Sequence, residues 1–191
     1  MSTVRIGIII GSTRPGRVGD QVAKWVLEHA AARTDAEFEL VDLLDYNLPH
    51  YDEPIPASLG QYSHPHTQEW ARKIASFDGF IIVTPEYNHS TSGALKNAID
   101  FLFAEWNNKA AGFVGYGSVG GARAVEHLRL IAGELQIADV RASVHLSLAQ
   151  DFENYSIFLP KEQHEQALTT VIDQVVTWSK ALAPVRAAAA A

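Results

Sequence analysis

The chain has 191 residues, of which 47% are hydrophobic and 19% are charged, so it is long enough for one α/β domain and too short for two full domains. The formal net charge of −7 argues against nucleic acid as the main partner, and the absence of cysteine excludes disulfides, thiolate metal sites and thiol catalysis. The sequence shows neither a secretory leader nor an apolar run of membrane-spanning length, so we expect a cytoplasmic protein with no membrane partner.

Five apolar stretches predict buried strands. In chain order they are VRIGIII (4–10), FELVDL (38–43), GFIIVT (79–84), GFVGY (112–116) and VRASVHL (140–146). Stretches with apolar residues at helical spacing separate these strands, and a further one follows the fifth strand. This alternation predicts an α/β fold with a parallel sheet and helices on both faces.

Two segments interrupt the alternation. Residues 44–67 contain four prolines and little periodicity, which predicts a long surface loop. The sequence VRAAAAA at 185–191 follows Pro184 and predicts a frayed, alanine-rich tail. We therefore expect residues 1–184 to form a single domain.

The sequence GSTRPGRVG follows the first strand and is rich in anion-binding groups. Gly11 and Gly16 have the spacing of a nucleotide-binding Walker A loop, but Arg17 and Val18 stand where that loop needs Lys and Ser or Thr. What remains is a phosphate cradle at the start of a helix, with hydroxyls and guanidinium groups close to backbone N–H groups. Its members are Ser12, Thr13, Arg14, Gly16, Arg17, Val18 and Gly19. An ordinary capped turn between strand and helix is the alternative.

Two more unusual loops follow the third and fourth strands. PEYNHSTSG (85–93) is too long and too aromatic for a simple helix cap, although Thr91 or Ser92 is a suitable cap. Gly115 to Gly120 has the pattern G-x-G-x-x-G, but the dinucleotide-binding fingerprint belongs after the first strand. We interpret the loop from Gly115 to Gly120 as a place where a planar ligand approaches the backbone closely. In open parallel sheets, ligands bind beyond the carboxyl ends of the strands, where all three loops lie.

These three motifs together resemble the NADPH-dependent FMN reductases, a flavodoxin-like group that includes quinone, azo-dye and chromate reductases. The residues that carry the resemblance are GSTRPGR, PEYNHSTSGALKNAIDFL and YGSVGGARA, and the likeness extends over roughly residues 4 to 180. It implies a flavodoxin-like three-layer sandwich with a five-stranded parallel sheet of order 2-1-3-4-5. It also implies bound FMN, NADPH or NADH as electron donor, and a small acceptor such as a quinone, a flavin, an azo compound or a metal oxyanion.

The resemblance also implies the roles of individual residues. Residues 12–14 and 17–19 are expected to hold the FMN phosphate. The isoalloxazine ring is expected to lie against Pro85, Glu86, Tyr87 and Asn88 on one side and Gly117 and Ser118 on the other. We assign no catalytic side chain, because the chemistry belongs to the flavin. If NAD(P)H and the acceptor use the same face of the ring one after the other, the kinetics are expected to be ping-pong.

Members of the resembled family form dimers or tetramers through the helix after PEYN. In this chain, Phe101, Leu102, Phe103 and Trp106 give that helix more apolar surface than we expect one face to bury in a monomer. We therefore expect a homodimer or homotetramer, with a fully buried core helix as the alternative.

Three other functions are compatible with parts of the sequence. A flavodoxin-type electron carrier would bind the same cofactor without oxidising NAD(P)H itself. A serine hydrolase would use Ser118 with Asp151 and His164, but Tyr116 stands where its nucleophile turn needs Gly. A metal site at His50, His64 and His66 competes with the simpler interpretation of solvated histidines in a Pro-rich loop.

Overall fold

The computed structural model describes residues 3–189 and contains a central five-stranded parallel sheet. Its strands are β1 (Val4–Ile10), β2 (Ala36–Asp42), β3 (Gly79–Pro85), β4 (Ala110–Gly117) and β5 (Ala138–Ser147). Their order is β2-β1-β3-β4-β5, so the expected flavodoxin-like topology is confirmed. All five predicted strands are present, with ends shifted by at most two residues.

Helices cover both faces of the sheet. Helices α1 (Gly19–Ala30) and α6 (Glu162–Ala189) pack on one face, and α3 (Pro65–Ala75), α4 (Gly93–Asp100) and α5 (Ala122–Glu134) pack on the other. Alternate residues of β1 enter the two cores, with Ile8 and Ile10 in one and Ile9 in the other. A strand that is buried on both faces has this pattern, which explains its almost continuous apolar sequence.

The segment 44–67 is more ordered than its sequence indicates. It contains most of the short helix α2 (Leu43–Tyr46) and a 3-10 turn at Ala57–Leu59, and α3 already begins at Pro65. Asp42 caps α2 by accepting a hydrogen bond of 3.0 Å from the Leu44 N–H. Pro65 occupies the first turn of α3, where its missing N–H costs nothing. The prediction of one continuous loop over 44–67 is therefore wrong at both ends, where α2 and α3 lie, and at the 3-10 turn Ala57–Leu59.

The aromatic residues after α4 pack inside the chain. Phe101, Leu102 and Trp106 are each at most 1% exposed, and Phe103 is partly buried. A 3-10 turn at Ala104–Trp106 places the Trp106 ring 5.0 Å from that of Phe80. The interpretation of these residues as surplus apolar surface for a partner subunit is therefore wrong. The alternative, a fully buried core helix, is right about the burial of Phe101, Leu102 and Trp106, but these residues follow the end of α4 and are not part of that helix.

The C-terminal region contains two further features that the sequence analysis did not predict. A hairpin of β6 (Phe152–Glu153) and β7 (Ile157–Phe158) attaches to α1, because the Gln21 side chain bonds to the Ser156 carbonyl and the Phe158 N–H. Helix α6 continues past Pro184 to Ala189, where a frayed tail was expected from residue 185. Arg186 anchors this end by donating to Asp78 Oδ1 at 2.6 Å. The last two residues of the predicted tail lie outside the described residues.

None of the helices within residues 3–189 combines the length and the apolar character that crossing a bilayer requires.

Candidate cofactor site

Three loops meet at the carboxyl edge of the sheet, because β1, β3 and β4 are neighbours there. We call residues 11–18, 86–92 and 118–121 the first, second and third loops. The Gly11 N–H donates to the Val83 carbonyl at 2.8 Å, and the Glu86 N–H donates to the Tyr116 carbonyl at 2.9 Å. These bonds extend the sheet pairing into the loops, so the parallel topology itself brings the three motifs together.

The first loop presents backbone N–H groups that have no acceptor. Helix α1 begins at Gly19, and the preceding Val18 supplies no side-chain cap. Within residues 3–189, the N–H groups of Thr13, Val18, Gly19 and Asp20 have no hydrogen-bond partner in the protein. A helix N-terminus with free N–H groups carries partial positive charge, and this geometry suits a phosphate. Gly16 makes the turn before it, with a φ of +69° that favours glycine.

The side chains of the first loop divide into two groups. Ser12 is 1% exposed, and Arg14 is exposed, with its guanidinium 3.2 Å from the Gly16 carbonyl. Arg17 instead pairs with Asp42 through both guanidinium nitrogens Nη1 and Nη2, and Nη1 also donates to the Ser12 carbonyl at 2.6 Å. Its side chain is only 13% exposed. The structure therefore leaves Arg14 available to a ligand and commits the terminal nitrogens of Arg17 to the protein.

The second loop begins with a tight two-residue turn. The N–H of Tyr87 donates to the Ser90 carbonyl at 2.9 Å and the N–H of Ser90 returns a bond of 3.2 Å. Asn88 and His89 lie between them, both with positive φ, which is the geometry of a type I′ hairpin turn. The Tyr87 hydroxyl lies 2.9 Å from the Ser12 Oγ, so the first and second loops are in direct contact.

The Glu86 carboxylate connects the second loop to the start of α5. The side chain is 3% exposed, and it accepts hydrogen bonds from the Arg123 backbone N–H at 3.1 Å and from its Nε at 2.6 Å. A Cβ on Gly117 would lie 3.0 Å from the Glu86 Cβ, so the two segments are closely packed. The carboxylate is thus a structural group. Only the backbone groups of Glu86 and of Pro85, the last residue of β3, are left for a ligand.

The third loop is short and tightly folded. Ser118 and Val119 are exposed at its top, and Gly120 and Gly121 follow with φ values of +69° and +71°. A Cβ on Gly121 would lie 2.5 Å from the Tyr116 nitrogen, so only glycine fits there. The glycines of this loop are thus required by close packing against β4 and β5.

Asp42 and Tyr116 belong to the site, and the sequence analysis assigned neither of them to it. Tyr116 is 5% exposed, and its hydroxyl has no hydrogen-bond partner within residues 3–189. A Cβ on Gly19 would lie 2.7 Å from that hydroxyl, which places it beside the first turn of α1. Burial raises the pKa of Tyr116. The signal available in the sequence was a lone aromatic residue between Gly115 and Gly117.

The hydrolase constellation is only partly assembled. His164 Nε2 lies 3.6 Å from Asp151 Oδ2, but the same carboxylate also accepts from Lys161 Nζ at 2.6 Å and from the Ser147 N–H at 2.8 Å. Among residues 3–189, none of the hydrogen bonds of Asp151 or His164 involves Ser118. The structure thus brings His164 close to a buried Asp151 carboxylate that also pairs with Lys161.

The histidines of the candidate metal site stack on each other. The rings of His64 and His66 are 5.1 Å apart, and His66 Nε2 lies 3.0 Å from Asp52 Oδ1. In the part of the chain that the structure describes, no group of three or more potential metal ligands occurs.

The fold and the three loops define a flavodoxin-like α/β protein with an anion cradle at the first strand-to-helix turn. Known proteins of this class share the fold. One is FerB, a flavoenzyme NAD(P)H:acceptor oxidoreductase from Paracoccus denitrificans. It superposes with a TM-score of 0.71 at 22% sequence identity, over 93% of this chain and 97% of FerB. The NADH:FMN oxidoreductase EmoB in its apo form gives 0.68 at 23% identity, over 92% and 89%.

Sequence comparison makes the assignment narrower. The profile of the NADPH-dependent FMN reductases matches residues 4–151, and the chain belongs to this family. An NAD(P)H-dependent FMN reductase of Schizosaccharomyces pombe is 39% identical over 151 residues, 78% of this chain and 76% of that protein. A quinone reductase of Escherichia coli is 36% identical over 135 residues, 67% of this chain and 69% of that protein.

The residues present fit the cofactor of the family. The free N–H groups at the start of α1, the hydroxyl of Ser12 and the exposed Arg14 suit a phosphate dianion. The protein is an oxidoreductase that uses FMN and NAD(P)H.

Proposed function

We propose that this protein transfers electrons from NAD(P)H through bound FMN to a small acceptor, in the first place a quinone, by a ping-pong mechanism. The observation that carries the proposal is the contact of three motif loops at one edge of the sheet, around an uncapped helix N-terminus. Other small acceptors of the same type are a free flavin, an azo compound and a metal oxyanion.

The first loop would hold the FMN phosphate. The backbone N–H groups of Thr13, Val18 and Gly19, the Ser12 hydroxyl and the Arg14 guanidinium would be its donors. Gly16, with its positive φ, makes the turn that would align them. Charge-assisted hydrogen bonds contribute about 1.5–3 kcal/mol each, so four or five of them give on the order of 10 kcal/mol before ordering costs. Tight retention therefore also needs contacts with the ring.

The second and third loops would provide the ring contacts. The main chain of residues 85–88 and that of Gly117 and Ser118 would line two edges of the isoalloxazine, so that one face of the ring stays open. The buried Glu86 carboxylate binds Arg123 at the start of α5, and Gly117 packs closely against the Glu86 Cβ, so the two segments would be held in place before the ligand arrives. A pre-organised site pays less ordering entropy on binding.

FMN bound at this site would supply the redox chemistry between NAD(P)H and the second substrate. This chain holds and orients the ring and leaves one side of it accessible, and it needs no nucleophile or general base of its own. The donor and the acceptor would use the same open face in turn, which predicts ping-pong kinetics.

The choice of a quinone as the first acceptor to test rests on relatives. The Escherichia coli protein is named a quinone reductase, and a 2-hydroxy-1,4-benzoquinone reductase of a Burkholderia species is 27% identical over 183 residues.

The test is a steady-state experiment with FMN-loaded protein, in which NADPH or NADH and a benzoquinone are varied together. We expect oxidation of the nicotinamide with parallel double-reciprocal lines. Intersecting lines would contradict the shared face. If the protein binds FMN and does not oxidise either nicotinamide, the proposal is wrong and an electron carrier of the flavodoxin type replaces it.

A homodimer or homotetramer remains a prediction that rests on the family resemblance, because the apolar residues 101–106 are used within the chain. The cytoplasmic location and the single domain over residues 1–184 are likewise predictions.

A further inference from the structure

We propose that Asp42 is a positioning residue for the cofactor phosphate, and that it acts through Arg17 on the peptide between Ser12 and Thr13. This inference rests on the proposed function, because it assigns a role in the same phosphate cradle. It gives Arg17 a different task from direct phosphate binding.

The geometry joins the three residues in a chain of hydrogen bonds. Arg17 Nη1 lies 2.8 Å from Asp42 Oδ1 and 2.6 Å from the Ser12 carbonyl oxygen, and Arg17 Nη2 binds Asp42 Oδ2. The side chains of Arg17 and Asp42 are 13% and 20% exposed. A two-point pair of this kind fixes the guanidinium plane more firmly than a single bond does.

Asp42 is itself fixed. It is the last residue of β2, paired in the sheet with Ile10, and its Oδ1 accepts the Leu44 N–H at 3.0 Å to cap α2. The carboxylate is therefore held at the end of β2, and it fixes the position of the Arg17 guanidinium relative to the sheet.

The consequence for the cradle follows from the planarity of the peptide bond. In a trans peptide the C=O and the following N–H point in opposite directions. Since Arg17 holds the Ser12 carbonyl on its own side, the Thr13 N–H is directed to the other side. Within residues 3–189 this N–H has no acceptor, as expected of a donor kept for a ligand. Without the guanidinium, the Ser12–Thr13 peptide would be free to rotate.

Electrostatics makes the proposal sharply testable. A carboxylate close to a phosphate site repels the phosphate, so its removal should strengthen FMN binding if charge alone decides. If Asp42 acts by positioning Arg17, its removal should weaken binding. The two explanations predict changes of opposite sign.

The experiment measures the affinities of apo-protein for FMN and for riboflavin, which lacks the phosphate, by quenching of flavin fluorescence. The variants are Asp42→Asn, which keeps an oxygen for the Leu44 N–H, Arg17→Met, and the double variant, which contains no unpaired buried charge. Circular dichroism and a urea unfolding midpoint check that each variant is folded.

We expect Asp42→Asn to weaken FMN binding about tenfold, the loss of roughly one charge-assisted hydrogen bond, and to leave riboflavin binding unchanged. The double variant should bind FMN no worse than Arg17→Met alone, because the two residues act as one unit. Unchanged or tighter FMN binding by Asp42→Asn would overturn the inference, and so would an equal loss for FMN and riboflavin. If the wild-type chain does not bind FMN at all, the proposed function fails as well, so the two failures are distinguishable.

Discussion

The Ser12 Oγ lies 2.9 Å from the Tyr87 hydroxyl, and this contact joins the first loop to the second loop. Ser12 Oγ also accepts the Arg14 N–H at 3.3 Å. With Tyr87 as the donor, the lone pairs of Ser12 are engaged and its own proton remains for a phosphate oxygen. Tyr87, which we expect to line the ring, would then also orient Ser12 in the proposed phosphate cradle.

Replacement of Tyr87 by Phe tests this relationship. We expect Tyr87→Phe to weaken FMN binding by about threefold to tenfold, because it removes one hydrogen bond that orients Ser12 and keeps the aromatic ring. Riboflavin binding should change little, and flavin fluorescence quenching measures both. An equal loss for the two flavins would assign Tyr87 to the ring alone.

Arg14 is the accessible cation of the first loop, and its removal should affect retention of the cofactor. We expect Arg14→Ala to lower FMN affinity by about tenfold or more and to alter turnover of the flavin-loaded enzyme much less. The matched control is Arg72→Ala, an exposed arginine on α3. Equilibrium dialysis at low and high salt measures the effect, and equal retention by both variants would contradict the assignment of Arg14 to the phosphate.

Gly19 and Tyr116 should show strong coupling in stability. A Cβ at Gly19 would meet the Tyr116 hydroxyl at 2.7 Å, so we expect Gly19→Ala to lower the free energy of unfolding by about 1–3 kcal/mol. Tyr116→Phe removes a buried hydroxyl that has no partner within residues 3–189, so on its own it should be neutral or stabilising. Urea unfolding of the apo-protein measures both.

The double variant provides the control for that pair. Tyr116→Phe with Gly19→Ala should recover most of the loss, because the substituent that the new methyl group meets has gone. Simple additivity of the two changes would show that the close contact is not what limits residue 19.

Lys109 predicts a pH dependence of stability at the opposite end of the sheet. It is 5% exposed and donates to the Ile74 carbonyl at 2.7 Å, and burial, followed by the charge of Arg186, lowers its pKa to about 7 from 10.5. Between these pH values the unfolded chain binds the proton and the folded chain does not. The free energy of unfolding therefore gains up to about 1.4 kcal/mol per pH unit as pH rises above 7.

Lys109→Met removes this titration and keeps a chain of similar length. The measurement is urea unfolding of the wild type and the variant at pH 7, 8 and 9. We expect the wild type to gain stability relative to the variant at each step. Parallel pH profiles would contradict a lowered pKa for Lys109.

Much of the fold could be predicted from the sequence because the strands are buried on both faces. The apolar runs at 4–10 and 79–84 leave little room for another interpretation, and they agree with β1 and β3. The segment 44–67 was harder, because α2 depends on a single cap by Asp42 and has only four residues. Such a short helix has no periodicity to detect.

The predicted site residues lie on adjacent loops, but their pairings could not be predicted. Nothing in GSTRPGRVG indicates that Arg17 faces Asp42, since 25 residues separate them in the chain. The same holds for Glu86 and Arg123, and for the aromatic residues 101–106, whose burial depends on how the chain turns after α4. Residue types and spacing indicate a site, whereas partners that are distant in sequence are fixed only by the packing of the whole fold.

The most direct test of the proposed function is an absorbance spectrum of the protein after incubation with FMN and desalting, followed by anaerobic addition of NADPH and, separately, NADH. We expect the protein to retain the flavin and its visible absorbance to bleach with at least one of the two donors. Protein that emerges from desalting without flavin would contradict the phosphate cradle. Retained flavin that neither donor bleaches would contradict the reductase.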